Sequence, residues 1–438
     1  MTETATLSVG IDCGSQVHQV CVLNHAGAIV GERRVGHNGH DLLALADWLL
    51  TLGEPDPTGI TVAIEVPHGT IVEMLLERGF PVYALNPKQL DRFRERYTVA
   101  GAKDDRRDAW VLASAVQSDR AAFRAVRIDD PAIIELRGLS RLDSELGEEL
   151  RRATNQLRDQ LHRYFPALLT LCPGADERWL WQLLAIAPTP VEASACRPPV
   201  LDRLLKRARI RRFTVAELQA VLATTPVVVA PGTVEAARYH VRVLLPRLHL
   251  LDTQRTESAT RLAHLLEQMA REPPGENREH HDVTILLSLP GVGVRIGAMM
   301  LAEAAASLRA RDYHAIRLLA GVAPVTKASG KSRVVVMRYA CNTRLKTACY
   351  HWARVAMQID GAAHRHYTVL RAAGHSHARA LRGVGDRLLA VGMGMLRTGT
   401  LYDRHRPRRI GGSDARAYPP PSRPSPSAGP AQAASAHA

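Results

Sequence analysis

Four carboxylates in the first quarter of the chain are placed to do chemistry together. Asp12 ends the apolar run "TLSVGID", Glu65 ends "TVAIEV", and Asp105 and Asp108 stand in "AGAKDDRRDAW". The i, i+3 spacing of the last two puts both on one helix face. Four clustered acids repel one another unless cations share them, and an all-oxygen donor set suits Mg²⁺ or Mn²⁺. Two such ions about 4 Å apart can polarise a phosphodiester. The flanking Lys103, Arg106 and Arg107 would then face phosphate. A plainer reading makes Asp105 an N-cap, Asp108 a surface partner of an arginine and Glu65 an ordinary strand-end acid. The joint placement of the four favours the cluster, with Asp104 one residue off the shared face.

A second candidate centre lies in "GVAPVTKASGKSRVVVMRYACNTRLK". Ser329 precedes Gly330 amid Lys327, Lys331, Arg333, Arg338 and Arg344. A serine becomes a useful nucleophile where cations or a metal activate it and stabilise the developing charge. From residue chemistry alone, a turn-forming role competes with this one, and Ser332 is nearly as good a candidate. Upstream, "LPGVGVRIG" resembles a helix-hairpin-helix turn. Its Gly291 and Gly293 would let backbone N–H groups approach DNA phosphates; a glycine turn between packed helices is the alternative. Arg207, Arg209, Arg211 and Arg212 in "RLLKRARIRRF" supply a further basic run.

The elements that would position these residues follow from the hydrophobic periods. Three strands open the chain: the buried run "TLSVGID", the alternating "QVHQVCVL", and "AIVGERRV" after the "NHAG" turn. Helix "GHDLLALADWLLTLG" and strand "TVAIEV" come next, then helix "GTIVEMLLERG", strand "PVYALN", helix "PKQLDRFRERY" and a helix opening at Asp105. That order predicts an α/β domain with a ribonuclease-H-like mixed sheet over residues 1–128. Leu139, Leu142, Leu146, Leu150, Ala153, Leu157 and Leu161 recur at three and four, which predicts one long amphipathic helix. Leu244, Leu248, Leu251, Leu262, Leu265 and Met269 predict a second. The two can pair as a coiled-coil arm over 129–275, with a basic helical insertion at 166–233. A mostly α domain is expected over 276–404. The Pro-, Ser- and Ala-rich segment 405–438 is expected to be disordered.

The 438 residues carry 57 Lys+Arg against 43 Asp+Glu, a net charge of +14. Such a balance points to a polyanionic partner, nucleic acid before membrane. No apolar run is long enough to span a bilayer and no secretory signal opens the sequence, so a cytoplasmic, nucleoid-associated protein without a membrane partner is expected. The six cysteines are scattered without a CxxC pair, which predicts reduced core residues and neither a disulfide framework nor a zinc site.

"VGIDCGSQ" also matches the opening of actin-like kinases, but the second phosphate motif and the adenosine site of that fold have no counterpart here. By contrast, "GIDCGSQVH", "AIEVPHG", "NPKQLDRFRERY", "AGAKDDRRDA", "LLSLPGVG" and "LAGVAPVTKASGKSR" fall in the order seen in the DEDD-type insertion-sequence transposases, the IS110 family. The resemblance runs from about residue 6 to 400. It implies a RuvC-like domain whose acids, here Asp12, Glu65, Asp105 and Asp108, bind Mg²⁺. It also implies a C-terminal transposase domain whose nucleophilic serine falls on Ser329. It further implies a covalent phosphoserine link to DNA, donor and target DNA as substrates, and a structured guide (bridge) RNA. A homodimer or homotetramer in which different subunits complete one site belongs to the same expectation. Cys341 before Asn342 departs from the family's usual glycine and bears on the packing of that turn. Cleavage without serine chemistry, and nucleic-acid binding without catalysis, remain the alternatives.

Overall fold

The computed structural model describes residues 7–53, 55–97, 104–127, 129–271, 279–329 and 332–403. Lys103, Gly330, Lys331 and the expected tail 405–438 lie outside these residues. The chain divides into two compact units, Met1–Leu265 and Leu266–Ala438.

The first unit opens with β1 (Leu7–Cys13), β2 (Val17–Asn24) and β3 (Ile29–Gly36). Then come α1 (Gly39–Leu52), β4 (Ile60–Ile64), α2 (Thr70–Glu77), β5 (Val82–Ala84), α3 (Pro87–Tyr97), α4 (Asp105–Asp119) and β6 (Arg124–Ala125). The sheet order is β3-β2-β1-β4-β5-β6. β1 pairs antiparallel with β2 and parallel with β4. β4 and β5 are parallel, and β6 closes the edge antiparallel to β5. This is the ribonuclease-H-like mixed sheet expected from the strand order. β1 and β4 are almost wholly apolar because both faces are covered. Val9, Ile11, Val62 and Ile64 pack with α1 and α2, while Ala63 packs with Val111, Leu112 and Ala115 of α4.

The predicted arm is α5 (Pro131–Tyr164) and α11 (Thr233–Arg271). Arg247 reaches Glu149 and Arg261 reaches Glu135, so partners earlier on one helix are later on the other and the pair is antiparallel. Ala153, Leu157 and Leu161 share a core with Leu244, Leu248 and Leu251. The N-terminal half of the α5 stripe differs from the predicted one. Leu142 is exposed, and the buried line runs through Ile133, Leu136, Ser140 and Asp143.

Between these two helices lie α6 (Leu168–Leu171), α7 (Arg178–Ile186), α8 (Pro190–Ser194), α9 (Pro198–Arg207) and α10 (Val215–Leu222). Trp179 and Trp181 anchor it in the same core as the arm.

The second unit contains α12 (Glu279–Ser288), α13 (Val294–Arg309) and α14 (Tyr313–Leu319). A hairpin of β7 (Val325–Ser329) and β8 (Ser332–Val336) follows, then α15 (Thr343–Ile359), α16 (Gly361–Ala372) and α17 (His377–Thr398). Its core is built on Trp352, whose indole N–H donates to the Pro290 carbonyl at 2.9 Å. All six cysteines are free. Among the described residues, no helix is long and apolar enough to cross a membrane.

Candidate active site

The carboxylates are brought to one end and one face of the sheet by α4. A Cβ on Gly10 would lie 1.9 Å from the Ala109 carbonyl oxygen and 2.4 Å from the Ala113 nitrogen, so the helix rests directly on β1 at this glycine. Strand alternation then places Asp12, two residues on, on the α4 face. Gly10 is in register with Ala63, and the same alternation carries Glu65 to that face just past the end of β4. β1 extends one residue beyond Asp12, to Cys13, and β4 stops one residue before Glu65.

The direction of α4 is fixed at its other end. Gln117 donates to the Asn24 carbonyl at 2.7 Å, and Asn24 pairs with Leu7 at the start of β1. The helix therefore runs antiparallel to β1 and its first turn reaches the Asp12 end. Asp105, Ala109 and Ala113 share one line of α4, in which Ala109 and Ala113 pack over β1 and β2. Asp108, Leu112 and Ala115 form the neighbouring line over β4. Asp104 caps the helix through the Arg106 amide, so the cap is the residue before the one that plain reading favoured.

Asp12 and Glu65 are half-buried, Asp105 is exposed and Asp108 is buried. Both Asp12 and Glu65 act on Cys13: burial first, then these two charges, push its thiol up to about 12. Asp108 accepts from Arg94 Nε on α3 at 2.8 Å, and Arg94 also reaches Asp91 at 2.8 Å. Among the described residues, the one trio of His, Cys, Asp or Glu donors within 4.8 Å of one another is Cys172, Asp176 and Glu177. The four acids share a face without closing to that distance, and Arg94 is the cation that Asp108 holds. The sequence "LDRFRERY" signals only the Arg94–Asp91 contact, three apart on one helix face, and not the bond to Asp108.

The flanking cations divide. The Arg106 guanidinium is bound by Glu32 of β3, with Nε at 2.7 Å from its carboxylate. That hydrogen bond holds Glu32 below its ordinary value and raises Arg106. Arg107 is half-buried. In the insertion, Arg207, Arg209 and Arg211 are exposed, whereas Arg212 donates to Glu177 at 2.7 Å and to the Leu171 carbonyl at 3.1 Å. Burial opposes ionisation of Glu177, but the Arg212 hydrogen bond and charge outweigh it and the net shift is downward. The Cys172 thiol is pushed up to about 11 by burial. That trio is accordingly a thiol with a carboxylate already neutralised by arginine.

In the second unit, Ser329 ends β7, exposed, with Lys327 also exposed two residues before it. Its register partner is Ser332 of β8, the strand that also carries Arg333. Gly291 has φ +82°, and a Cβ there would meet the Ala356 nitrogen at 2.8 Å, so packing against α15 accounts for this glycine. Gly293 is exposed at the N-cap of α13 with open space around it. Cys341 fits its turn because Gly321 (φ +67°) leaves room for the sulfur. The next residue, Asn342, caps α15 through the Leu345 amide and donates to Glu303 at 2.7 Å.

Comparison with known proteins agrees with both halves. The sequence model of the DEDD transposases matches residues 9–166, and that of the IS116/IS110/IS902 transposases matches residues 283–368. The "Mini-circle putative transposase for IS117" of Streptomyces coelicolor is 31% identical over 412 residues, covering 92% of this chain and 97% of the relative. The chain belongs to the IS110 family of transposases. It is also similar to the "Insertion element IS110 uncharacterized 43.6 kDa protein" of the same organism, at 27% identity over 93% of this chain and 98% of the relative. The "Putative transposase y4uE" of Sinorhizobium fredii is 49% identical over 49% of this chain and 60% of its own length. As an IS110-family transposase the protein is an enzyme that cleaves and rejoins DNA, and the DEDD acids of its family work with a divalent metal.

Proposed function

We propose that this transposase joins donor and target DNA through a phosphoserine at Ser329, using Asp12, Glu65, Asp105 and Asp108 as the ligands of Mg²⁺ or Mn²⁺ and an element-derived structured RNA as guide. The observation that supports the reading is that Asp12 and Glu65 stand at the same end of adjacent strands on the sheet face covered by α4, whose first turn carries Asp105 and Asp108. The donors are all oxygen, which fits a hard divalent ion once Asp108 exchanges Arg94 for it. Bound there, the ion would supply Lewis-acid stabilisation of charge on the phosphate. Asp12 and Glu65 would hold it from the sheet, and Asp105 and Asp108 from the helix.

Ser329 serves the other half of the chemistry. Its Oγ loses a proton and bonds to phosphorus, and the leaving ribose oxygen takes up a proton as a hydroxyl. The hydroxyl of a second strand then attacks the phosphoserine, and Ser329 recovers its proton. One phosphodiester is consumed and one is made, so no external energy source is required. Lys327 and Arg333, on the two strands of the hairpin, together with Lys331, which lies between them in sequence, would offset charge on the pentacoordinate phosphorus. A homodimer or homotetramer in which different subunits supply the acids and the serine is part of the same proposal. Gly293, Arg207, Arg209 and Arg211 are exposed and available to nucleic acid, and Lys103, Arg106 and Arg107, which flank Asp105 in the sequence, are further proposed contacts.

The test traps labelled DNA on protein. Purified protein, element-derived RNA, Mg²⁺ and end-labelled donor and target DNA are incubated and run on a denaturing gel. An adduct is expected for wild type and for Ser332→Ala, and none for Ser329→Ala, for Asp12→Ala, or without RNA. Cleavage without an adduct, insensitive to Ser329→Ala, would leave a metal nuclease. An adduct lost only in Ser332→Ala would move the nucleophile, and an adduct formed equally without RNA would remove the guide.

A further inference from the structure

Residues 313–385 hold a single acidic side chain, Asp360, against twelve lysines and arginines. Most of that charge is solvated surface, but part of it is drawn into one place. Arg382, in the second turn of α17, is half-buried, and its guanidinium donates to the sulfur of Met337 at 3.3 Å. A thioether is a poor acceptor for a guanidinium. One residue on, the Nε of Arg338 is buried without a hydrogen-bond partner among the described residues. Arg379, one turn before Arg382, is exposed and close enough to repel it. Burial first, and then that charge, hold Arg382 below its ordinary value.

The two acids on the neighbouring turns and helix, Asp386 and Asp360, are committed elsewhere. Asp386, the next turn of α17, is taken by Arg317 at 3.0 Å and Tyr313 at 2.9 Å. Asp360 caps α16 and accepts from Tyr402 at 2.9 Å. The helix itself adds to the imbalance. Its first turn has no acid, carries His377 and Arg379, and is capped by neutral Ser376. Cations at a helix N-terminus oppose the macrodipole, whereas an anion there satisfies both.

We infer that Arg338, Arg379 and Arg382 form a seat for a backbone phosphate of the DNA strand, at the base of the hairpin that carries Ser329. The inference rests on the reading of Ser329 given above only for its purpose. Val325 pairs with Val336 at the hairpin base and Ser329 pairs with Ser332 at the other end. Four residues of strand separate them, roughly 13 Å. The seat is therefore too far to hold the phosphate under attack. It grips the strand a few nucleotides away and fixes how far the strand extends past the serine. Arg338 and Arg382 offer forked donors suited to a phosphate, and Arg379 guards the open side.

Equilibrium binding tests this independently of the covalent chemistry, so a Ser329 that proves not to be the nucleophile leaves the result unaffected. Full-length protein is titrated with a duplex carrying the element end, and with a structured RNA of similar length, across a salt series. On the duplex, Arg382→Gln and Arg379→Gln should each lower the slope of log K against log salt by about 0.9 for a lost phosphate contact and weaken binding roughly three- to tenfold. Arg365→Gln, an exposed charge on α16, is the control for general charge loss and should change the slope by less than half as much.

A methylphosphonate scan of the duplex should then find one position where neutralising the phosphate weakens wild type but weakens Arg382→Gln no further. A slope change confined to the RNA, equal losses in Arg365→Gln and Arg382→Gln, or strictly additive losses at every phosphate would overturn the inference. Arg379 is exposed, so Arg379→Gln carries the test if Arg382→Gln does not fold.

Discussion

Asp108 and Arg94 show at the level of single side chains how the acidic end is held together. The Asp108 carboxylate is 3% exposed and the Arg94 side chain 20%, so the pair is unequal. Removing Arg94 strands a buried anion, while removing Asp108 leaves an arginine that still has Asp91 and water. Arg94→Ala should therefore destabilise the first unit by about 3 kcal/mol, and Asp108→Ala by clearly less. If Asp108 is a metal ligand, Mg²⁺ should recover part of the Arg94→Ala loss and chelator should not, as read by chemical denaturation. A loss indifferent to Mg²⁺ would separate Asp108 from the metal. A second buried polar residue, His18, sits in β2 with its Nε2 2.8 Å from His37 Nδ1. Burial, and then the charge of His37, hold it below the ordinary imidazole value of 6.5. The depressed value means that the unfolded chain takes up this proton first. Stability from neutral His18 is complete above about pH 6.5 and falls as pH drops through the window below it. Thermal melts of wild type should show that decline, and His18→Gln should flatten it.

At the level of elements, the site depends on one close approach. α4 can lie on β1 only because residue 10 has no side chain. Gly10→Ala would drive a methyl group into the Ala109 and Ala113 backbone, which the helix can avoid only by lifting off the sheet. We expect a loss of more than about 3 kcal/mol and a disordered acidic end, seen as a lowered melting temperature together with loss of Mg²⁺-dependent protection of α4 amides. The elements themselves were legible because their periods are strong: alternation in β2, continuous burial in β1 and β4, and a three-four repeat in α5 and α11. The shared sheet end of Asp12 and Glu65 was legible for the same reason, since strand order fixes it. Three features were not. The capping role of Asp104 depends on a one-residue choice of helix start that two adjacent aspartates leave open. The Arg94 partnership needs the packing of α3 on α4, and Arg106 turned toward Glu32 depends on a residue 74 positions away. Leu142 was misplaced because the α5 stripe drifts along a 34-residue helix, so a leucine count over-extends it.

Across the whole molecule, a net charge of +14 must be divided between cations that bind and cations that hold the fold. The insertion shows the division within six residues. Arg207, Arg209 and Arg211 are exposed, and Arg209 stands in the left-handed region at φ +55° just past α9. Arg212 instead ties α10's leading loop to Glu177 and lies over Phe213, its guanidinium carbon 5.3 Å from the ring centre. The four arginines should therefore separate by experiment. Replacing Arg207, Arg209 and Arg211 with Gln should leave the melting temperature unchanged. It should lower the salt slope of RNA binding by up to about 0.7 per single-stranded phosphate contact, or of duplex DNA binding by up to about 0.9. Arg212→Gln should lower the melting temperature, because Glu177 and the Leu171 carbonyl lose their donor, and should move the salt slope less than the triple variant does. Unchanged RNA and DNA affinity for the triple variant across the salt series would mean that the exposed face of the insertion is solvated charge, leaving the second unit and the acidic end to hold the nucleic acid.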